Sequence, residues 1–288
     1  MTDPDITLAD TAQLFGRITD ELGTRLRQVR PAGPRGRAAQ PPALIAVAHG
    51  SRDPRALPAV RALLDRVREL RPGLDVRLGH IELNAPLLSD TLAEVTASNR
   101  EAVLVPLLFG HGHHVTHDLP AAAAAAPELR TRVAAPLGAH PLLIEALYER
   151  LAEAGWTAEH EAARDTAVVL ASAGSRAPES AADTRRTAAL LSERLGGVPV
   201  VAAYASAAAP TVPAAVRALA ARGRHRVAVA SLFTAPGLFA TRSTAQAPWI
   251  AAAPLGPHPA LARLVLHRYD RALHTPHTAL TGRELASA

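Results

Sequence analysis

The chain has no cysteine among its 288 residues, which removes disulfides, thiolate metal sites and a cysteine nucleophile together. Any metal must be held by nitrogen and oxygen. Lysine is missing too, so all 31 basic residues are arginine. Aromatic residues make up only 3%, and the formal net charge of +5 comes from scattered arginines rather than a basic block. A nucleic-acid surface needs a concentrated basic stripe or stacking rings, so no nucleic-acid partner is expected. The arginine excess suits a carboxylate-rich small ligand instead, because the guanidinium fork matches a carboxylate bidentately. No stretch approaches the ~20 apolar residues that span a bilayer. The opening "MTDPDITLADTAQ" has neither the basic n-region nor the apolar core of a secretory signal. The expectation is a cytoplasmic protein without a membrane partner. G-x-S-x-G, G-x-G-x-x-G, G-x-x-x-x-G-K-[ST] and H-E-x-x-H are all absent, which argues against hydrolase and nucleotide chemistry.

What is present suffices for buried cores: 48% of residues are hydrophobic, and the length allows two ordinary domains. Residues 6–29 carry Ile6, Leu14, Phe15, Ile18, Leu22, Leu26 and Val29 at helical spacing. "RPAGPRGRAAQPP" then reads as a linker, so residues 1–42 are expected to be a helical extension and its tether. From residue 43 strand-like and helix-like segments alternate: "ALIAVAH" (43–49), "ALPAVRALLDRVREL" (56–70), "LDVRLGHIEL" (74–83), "LLSDTLAEVTAS" (87–98) and "AVLVPLLFG" (102–110). Continuous apolar strands separated by helices predict an α/β fold with a mainly parallel sheet covered on both faces.

The second half repeats the first. "VAHGSRDP" (47–54) returns as "ASAGSRAP" (171–178), an offset of 124 residues from His49 to Ala173. The same offset carries Pro86 to Pro210, Val103 and Val105 to Val227 and Val229, and Leu108 and Phe109 to Leu232 and Phe233. "PLGAHP" (136–141) returns as "PLGPHP" (254–259) at an offset of 118, so six residues are missing from the second copy before that point. The expected domains are residues 43–160 and a repeat at 161–272, followed by a tail at 273–288.

Ligands of parallel α/β sheets bind beyond the carboxyl ends of the strands. His49 ends the first strand, Glu82 ends the second, and "GHGHHVTHDLP" (110–120) follows the third. Imidazole and carboxylate from three strand ends form a donor set for Fe²⁺, Co²⁺, Ni²⁺ or Zn²⁺. In the copy His49 becomes Ala173, Glu82 becomes Ser206 and His114 becomes Leu238, while glycines, prolines and apolar framework persist. This pattern points to one working site in the first half, with the second half as scaffold or lid. His80 reads as packing or a satisfied polar group, and His140 and His258, recurring in "PLGxHP", as parts of a helix-start turn. His111, His113 and His117 could belong to a metal-collecting loop independent of any reaction. Asp118 with Pro120 suits a turn and helix start.

"LIAVAHGSRDP", "IELNAP" and "VLVPLLFGHGHHVTHDLP" together resemble the signature segments of the class II tetrapyrrole chelatases, the sirohydrochlorin cobalto- and ferrochelatases. The likeness covers roughly residues 43–272, in the long form with two tandem chelatase-like domains and a ligand cleft between them. It implies that His49 and His114 bind the incoming metal and assist removal of the pyrrole protons, with Glu82 as third ligand or base. Ser51 and Arg52 are the candidate substrate contacts, Arg52 through a peripheral carboxylate, although Arg176 in the copy makes a structural role equally open. The implied activity is insertion of Fe²⁺ or Co²⁺, with Ni²⁺ possible, into sirohydrochlorin for sirohaem or cobalamin. No cofactor beyond the metal substrate is expected, and a monomer suffices because one polypeptide builds the cleft. The alternatives are a non-catalytic metal-binding or delivery protein using the histidine loop, and an inert scaffold.

Overall fold

The computed structural model describes residues 41–98 and 101–275. The helix expected within 6–29, residues 30–40 of the linker and residues 276–288 of the tail lie outside the described residues. In chain order the first half contains β1 (Ala43–Ala48), α1 (Ala56–Leu70), β2 (Val76–His80), α2 (Leu88–Ser98), β3 (Glu101–Pro106), a π-helical turn (His114–Asp118), α3 (Leu119–Ala124), β4 (Arg130–Val133) and α4 (Pro141–Glu153). α5 (Ala158–Ala162) spans the expected boundary. The second half contains β5 (Thr166–Ser172), α6 (Pro178–Arg194), β6 (Val200–Tyr204), α7 (Val212–Ala220), β7 (Arg226–Ser231), α8 (Leu238–Thr244) and α9 (Pro259–His274).

Both sheets are parallel, in the orders β2-β1-β3-β4 and β6-β5-β7. The repeat extends to the pairing register, since Leu44 lies opposite Val76 as Val168 lies opposite Val200. β4 has only a single bridge, Val229 to Ala251, as its counterpart, beyond the stretch that lost six residues. The central strands are apolar at nearly every position because helices cover both faces. α1 shows the matching pattern: Val60, Leu63, Leu64 and Val67 form one buried stripe.

One continuous apolar core runs between the two sheets and is filled by α1, α4, α6 and α9. Two smaller cores lie on the outer faces, under α2 and α3 in the first half and under α7 in the second. The inner helices are exchanged. α9, the last helix of the second half, packs on β3, β4 and α1, while α4, the last of the first half, packs on β7 and α6. Matching polar ties fix the exchange. Arg150 of α4 donates to the Leu255 carbonyl at 2.6 Å, and Arg268 of α9 donates to the Gly138 carbonyl at 3.0 Å. The halves are thus separable in sequence but interlocked in space.

His140 and His258 cap α4 and α9, accepting from the backbone N–H of Leu142 and Ala260 at 3.1 and 3.2 Å. His140 also meets His267, with ring centroids 4.6 Å apart, and His258 Nε2 lies 2.8 Å from the Glu149 carboxylate. Burial, then the neighbouring His267 and Arg268, pushes His140 from an ordinary 6.5 down to about 4. Burial also lowers His258, with Glu149 opposing the shift and Arg150 adding to it. The folded chain therefore resists protons that the unfolded chain accepts near pH ~6.5. Stability is retained above that pH and is expected to fall as pH drops from ~6.5 towards ~4. Urea unfolding at pH 7, 6 and 5 measures this: the midpoint should decline, and His140→Asn, which keeps a capping acceptor, should flatten part of the slope. A midpoint constant over that range would contradict the assignment.

Candidate active site at the strand ends

The order β2-β1-β3 places the carboxyl ends of three parallel strands side by side, so the loops carrying Glu82, His49 and His114 converge. Pairing continues past the first two strands: Ile81 N–H donates to the Ala48 carbonyl at 2.9 Å and Glu82 N–H to the His49 carbonyl at 3.0 Å. Glu82 therefore stands in the turn two residues beyond β2 rather than in the strand, where the sequence placed it. Gly50 makes this approach possible. Its φ is +104°, and a Cβ there would sit 1.9 Å from the Glu82 carbonyl oxygen, so no other residue fits without displacing the turn. Ser51 N–H donates to Asn84 Oδ1 at 2.6 Å, and Ser51 Oγ accepts from Asp53 N–H at 3.1 Å, which closes the loop on itself.

The result is a compact polar group. His49 Nδ1 lies 3.4 Å from Glu82 Oε1, with the two side chains 43% and 54% exposed, so both remain reachable. The His49 and His114 rings meet edge to face with centroids 4.7 Å apart. His114 Nδ1 lies 2.5 Å from Asp118 Oδ2. An ionised carboxylate only accepts, so Nδ1 carries the hydrogen and Nε2 is the nitrogen left free for a ligand or a proton. Among the described residues no three His, Asp or Glu side chains already form a metal-holding group. What the structure brings together is two imidazole–carboxylate pairs, His49–Glu82 and His114–Asp118, joined through their imidazoles.

Two residues of this arrangement escape the sequence reading. Asp118 does stand at the start of α3 with Pro120 in the first turn, as the sequence leads one to expect, but its side chain makes no capping hydrogen bond and pairs with His114, which the sequence reading does not foresee. The π-helical turn from His114 to Asp118 brings the carboxylate back onto the imidazole instead. Asn84 was not singled out, yet it fixes the Ser51 backbone. The signal existed, because the offset that turns His49 into Ala173 also turns Asn84 into Ala208 and Asp118 into Arg242.

His111 stands apart from the other loop histidines, whereas His113 stays beside His114, with ring centroids 6.4 Å apart and its Nε2 3.6 Å from Asp118 Oδ1. His111 Nδ1 lies 2.7 Å from Asp183 Oδ2 of α6, and the His111 N–H donates to the same oxygen at 3.0 Å, so this residue ties the loop to the second half. His113 and His117 stack on one another at 4.6 Å, and His113 is 73% exposed. His80 is buried, with Nδ1 3.1 Å from the Pro86 carbonyl. A cavity of about 860 Å³ opens over the group and is lined from both halves. His49, Ser51, Arg52, Glu82, His113 and His114 line it, whereas Arg176 does not.

The copy retains the turn without the chemistry. Gly174 has φ +91°, and a Cβ there would lie 1.9 Å from the Ser206 carbonyl oxygen. Ser206 N–H donates to the Ala173 carbonyl at 2.9 Å. The ligand-capable positions hold Ala173, Ser206 and Leu238.

A profile of the CbiX family matches residues 43–154 and again residues 167–272. A sirohydrochlorin cobaltochelatase of Methanococcus aeolicus is 30% identical over 79 residues, 27% of this chain and 55% of that protein, so the chain spans about half the length of that relative. A sirohydrochlorin cobaltochelatase of Methanococcoides burtonii is 25% identical over 123 residues, 38% of this chain and 94% of that protein. In fold, the chain is similar to SirB from Bacillus subtilis, solved with Fe3+, at a TM-score of 0.64 and 22% identity, covering 80% of this chain and 94% of that one.

Gly174 carries the turn without the imidazole and carboxylate. Gly174→Ala is expected to cost at least about 2 kcal/mol through clash and positive-φ strain, read as a lower urea midpoint. An unchanged midpoint would show that the close approach can relax.

Proposed function

This chain belongs to the CbiX family, and we propose that it is a sirohydrochlorin chelatase inserting Fe²⁺ or Co²⁺ into the tetrapyrrole. One observation carries the reading. Three strand-end loops bring His49, Glu82 and His114 to a single cavity, and the three matching loops of the copy bring none. The names of the relatives support the same activity.

Insertion of a divalent ion replaces two pyrrole N–H bonds with metal–nitrogen bonds and releases two protons. The site supplies what that exchange requires. The free imidazole nitrogens of His49 and His114 displace water from the incoming ion, and Glu82 offsets its charge. As the ion passes to the ring, neutral imidazole accepts protons near cellular pH, with Glu82 as a further acceptor beside His49. Asp118 holds His114 in the tautomer this role needs. Arg52, exposed on the cavity wall, is available to a peripheral carboxylate of the substrate. Neither redox cofactor nor nucleotide enters the balance, and one chain provides the whole cleft, so a monomer is sufficient.

The rival reading, a metal-delivery loop, needs His111, His113, His114 and His117 to act as one cluster. Of these, His111 is turned away to Asp183 of α6, while His114 packs on His49 from another strand-end loop, a partner that a self-contained histidine loop does not call for.

An anaerobic assay with sirohydrochlorin and each metal in turn tests the proposal. His49→Ala and His114→Ala should each lower metallation by at least roughly a hundredfold, with an unchanged circular dichroism spectrum. Near-normal turnover in both variants would sink it.

A further inference from the structure

Among the described residues only Leu70, Leu83, Leu87, Leu238 and Phe239 are large apolar side chains left exposed. Single exposed apolar residues need no explanation. Here, however, Leu83, Leu238 and Phe239 all stand on the walls of the one cavity over the histidines, and two of them come from the half that lost its ligands. The exchange is positional: Leu238 stands where the first half has His114, and Phe239 where it has Val115. Val115 is 8% exposed, as expected for packing, whereas Phe239 is 39% and Leu238 59% exposed.

The backbone aims these loops at one another. A Cβ on Gly237, just before Leu238, would lie 3.4 Å from Ser51 Oγ of the first half. Reciprocally, a Cβ on Gly112 would lie 3.5 Å from Ser175 Oγ of the second. Each third-strand loop therefore leans over the Gly-Ser-Arg turn of the opposite half. One delivers imidazole to the shared cavity, and the other delivers Leu238 and Phe239.

We propose that Leu238 and Phe239 form the apolar seat for the face of the tetrapyrrole turned away from His49 and His114. The inference rests on the chelatase reading, which supplies a flat, conjugated occupant with carboxylates at its rim. A metal delivered from one face needs a ring held against a surface that offers no competing ligand and admits no water, and a leucine and a phenylalanine meet both requirements. The worn-out copy is then a working wall whose loop has exchanged coordination for apolar contact.

Binding of metal-free sirohydrochlorin, followed by absorbance, tests the seat without requiring turnover. Because both side chains are exposed, Leu238→Ser and Phe239→Ser leave no internal cavity. Each should weaken tetrapyrrole binding roughly tenfold and raise KM for the tetrapyrrole, with KM for the metal unchanged. Leu238→Met and Phe239→Tyr should bind as the parent does, and so should Leu70→Ser, which lies outside the cavity. Parent-like binding by both serine variants would overturn the seat. If the parent binds tetrapyrrole in this Leu- and Phe-dependent way but inserts no metal, the chelatase reading fails and the seat stands. If the parent binds no tetrapyrrole, both fail.

Discussion

The carbonyl oxygen of Glu82 occupies the space that a side chain on residue 50 would need. That close approach locks the turn after β1 to the turn after β2, and it decides where the chemistry sits: His49 immediately precedes the glycine, and Glu82 owns the carbonyl. With the two backbones joined, the imidazole and carboxylate stand 3.4 Å apart without help from a ligand. The same crossing of Gly174 and Ser206 in the second half holds Ala173 and a serine instead. The backbone framework and the imidazole–carboxylate pair are therefore independent variables in this fold, and the duplication has separated them.

The second constraint is the exchange of α4 and α9. Because each half completes the core of the other, the cavity walls are parts of one packed body rather than two domains on a tether. Arg150 and Arg268 repeat the exchange in polar form, each reaching the Pro-Leu-Gly turn of the opposite half. The cavity that carries His49, Glu82 and His114 from one half and Leu238 and Phe239 from the other is therefore lined by a single packed body.

Much of this was legible in the sequence. Continuous apolar strands, the helix over 56–70 and the repeat at a fixed offset gave the parallel α/β architecture and the strand ends at which to look. His140 and His258 were recognisable as helix starts because the "PLGxHP" turn recurs in both halves. Other features were not legible, for physical reasons. Periodicity identifies the buried face of α4 and α9 but not the sheet that receives it, so the exchange stayed hidden. Asp118 carries the local signature of a helix start and does begin α3, but that signature does not say that its carboxylate turns back four residues to His114 rather than capping the helix. Glu82 belonged to an apparently continuous strand, yet the chain bends after His80 and reaches φ +67° at Leu83. Asp183 lies 72 residues from His111, and nothing local links them.

The central claim is that one chain contains one chelating site, built by the first half and walled by the second. The most direct measurement is anaerobic single turnover with excess sirohydrochlorin and either Fe²⁺ or Co²⁺, scored as metallated tetrapyrrole formed per chain in the first burst. One equivalent is expected. Two equivalents would mean that the second half also chelates, and none with either metal would mean that the histidine pair does not carry out this reaction.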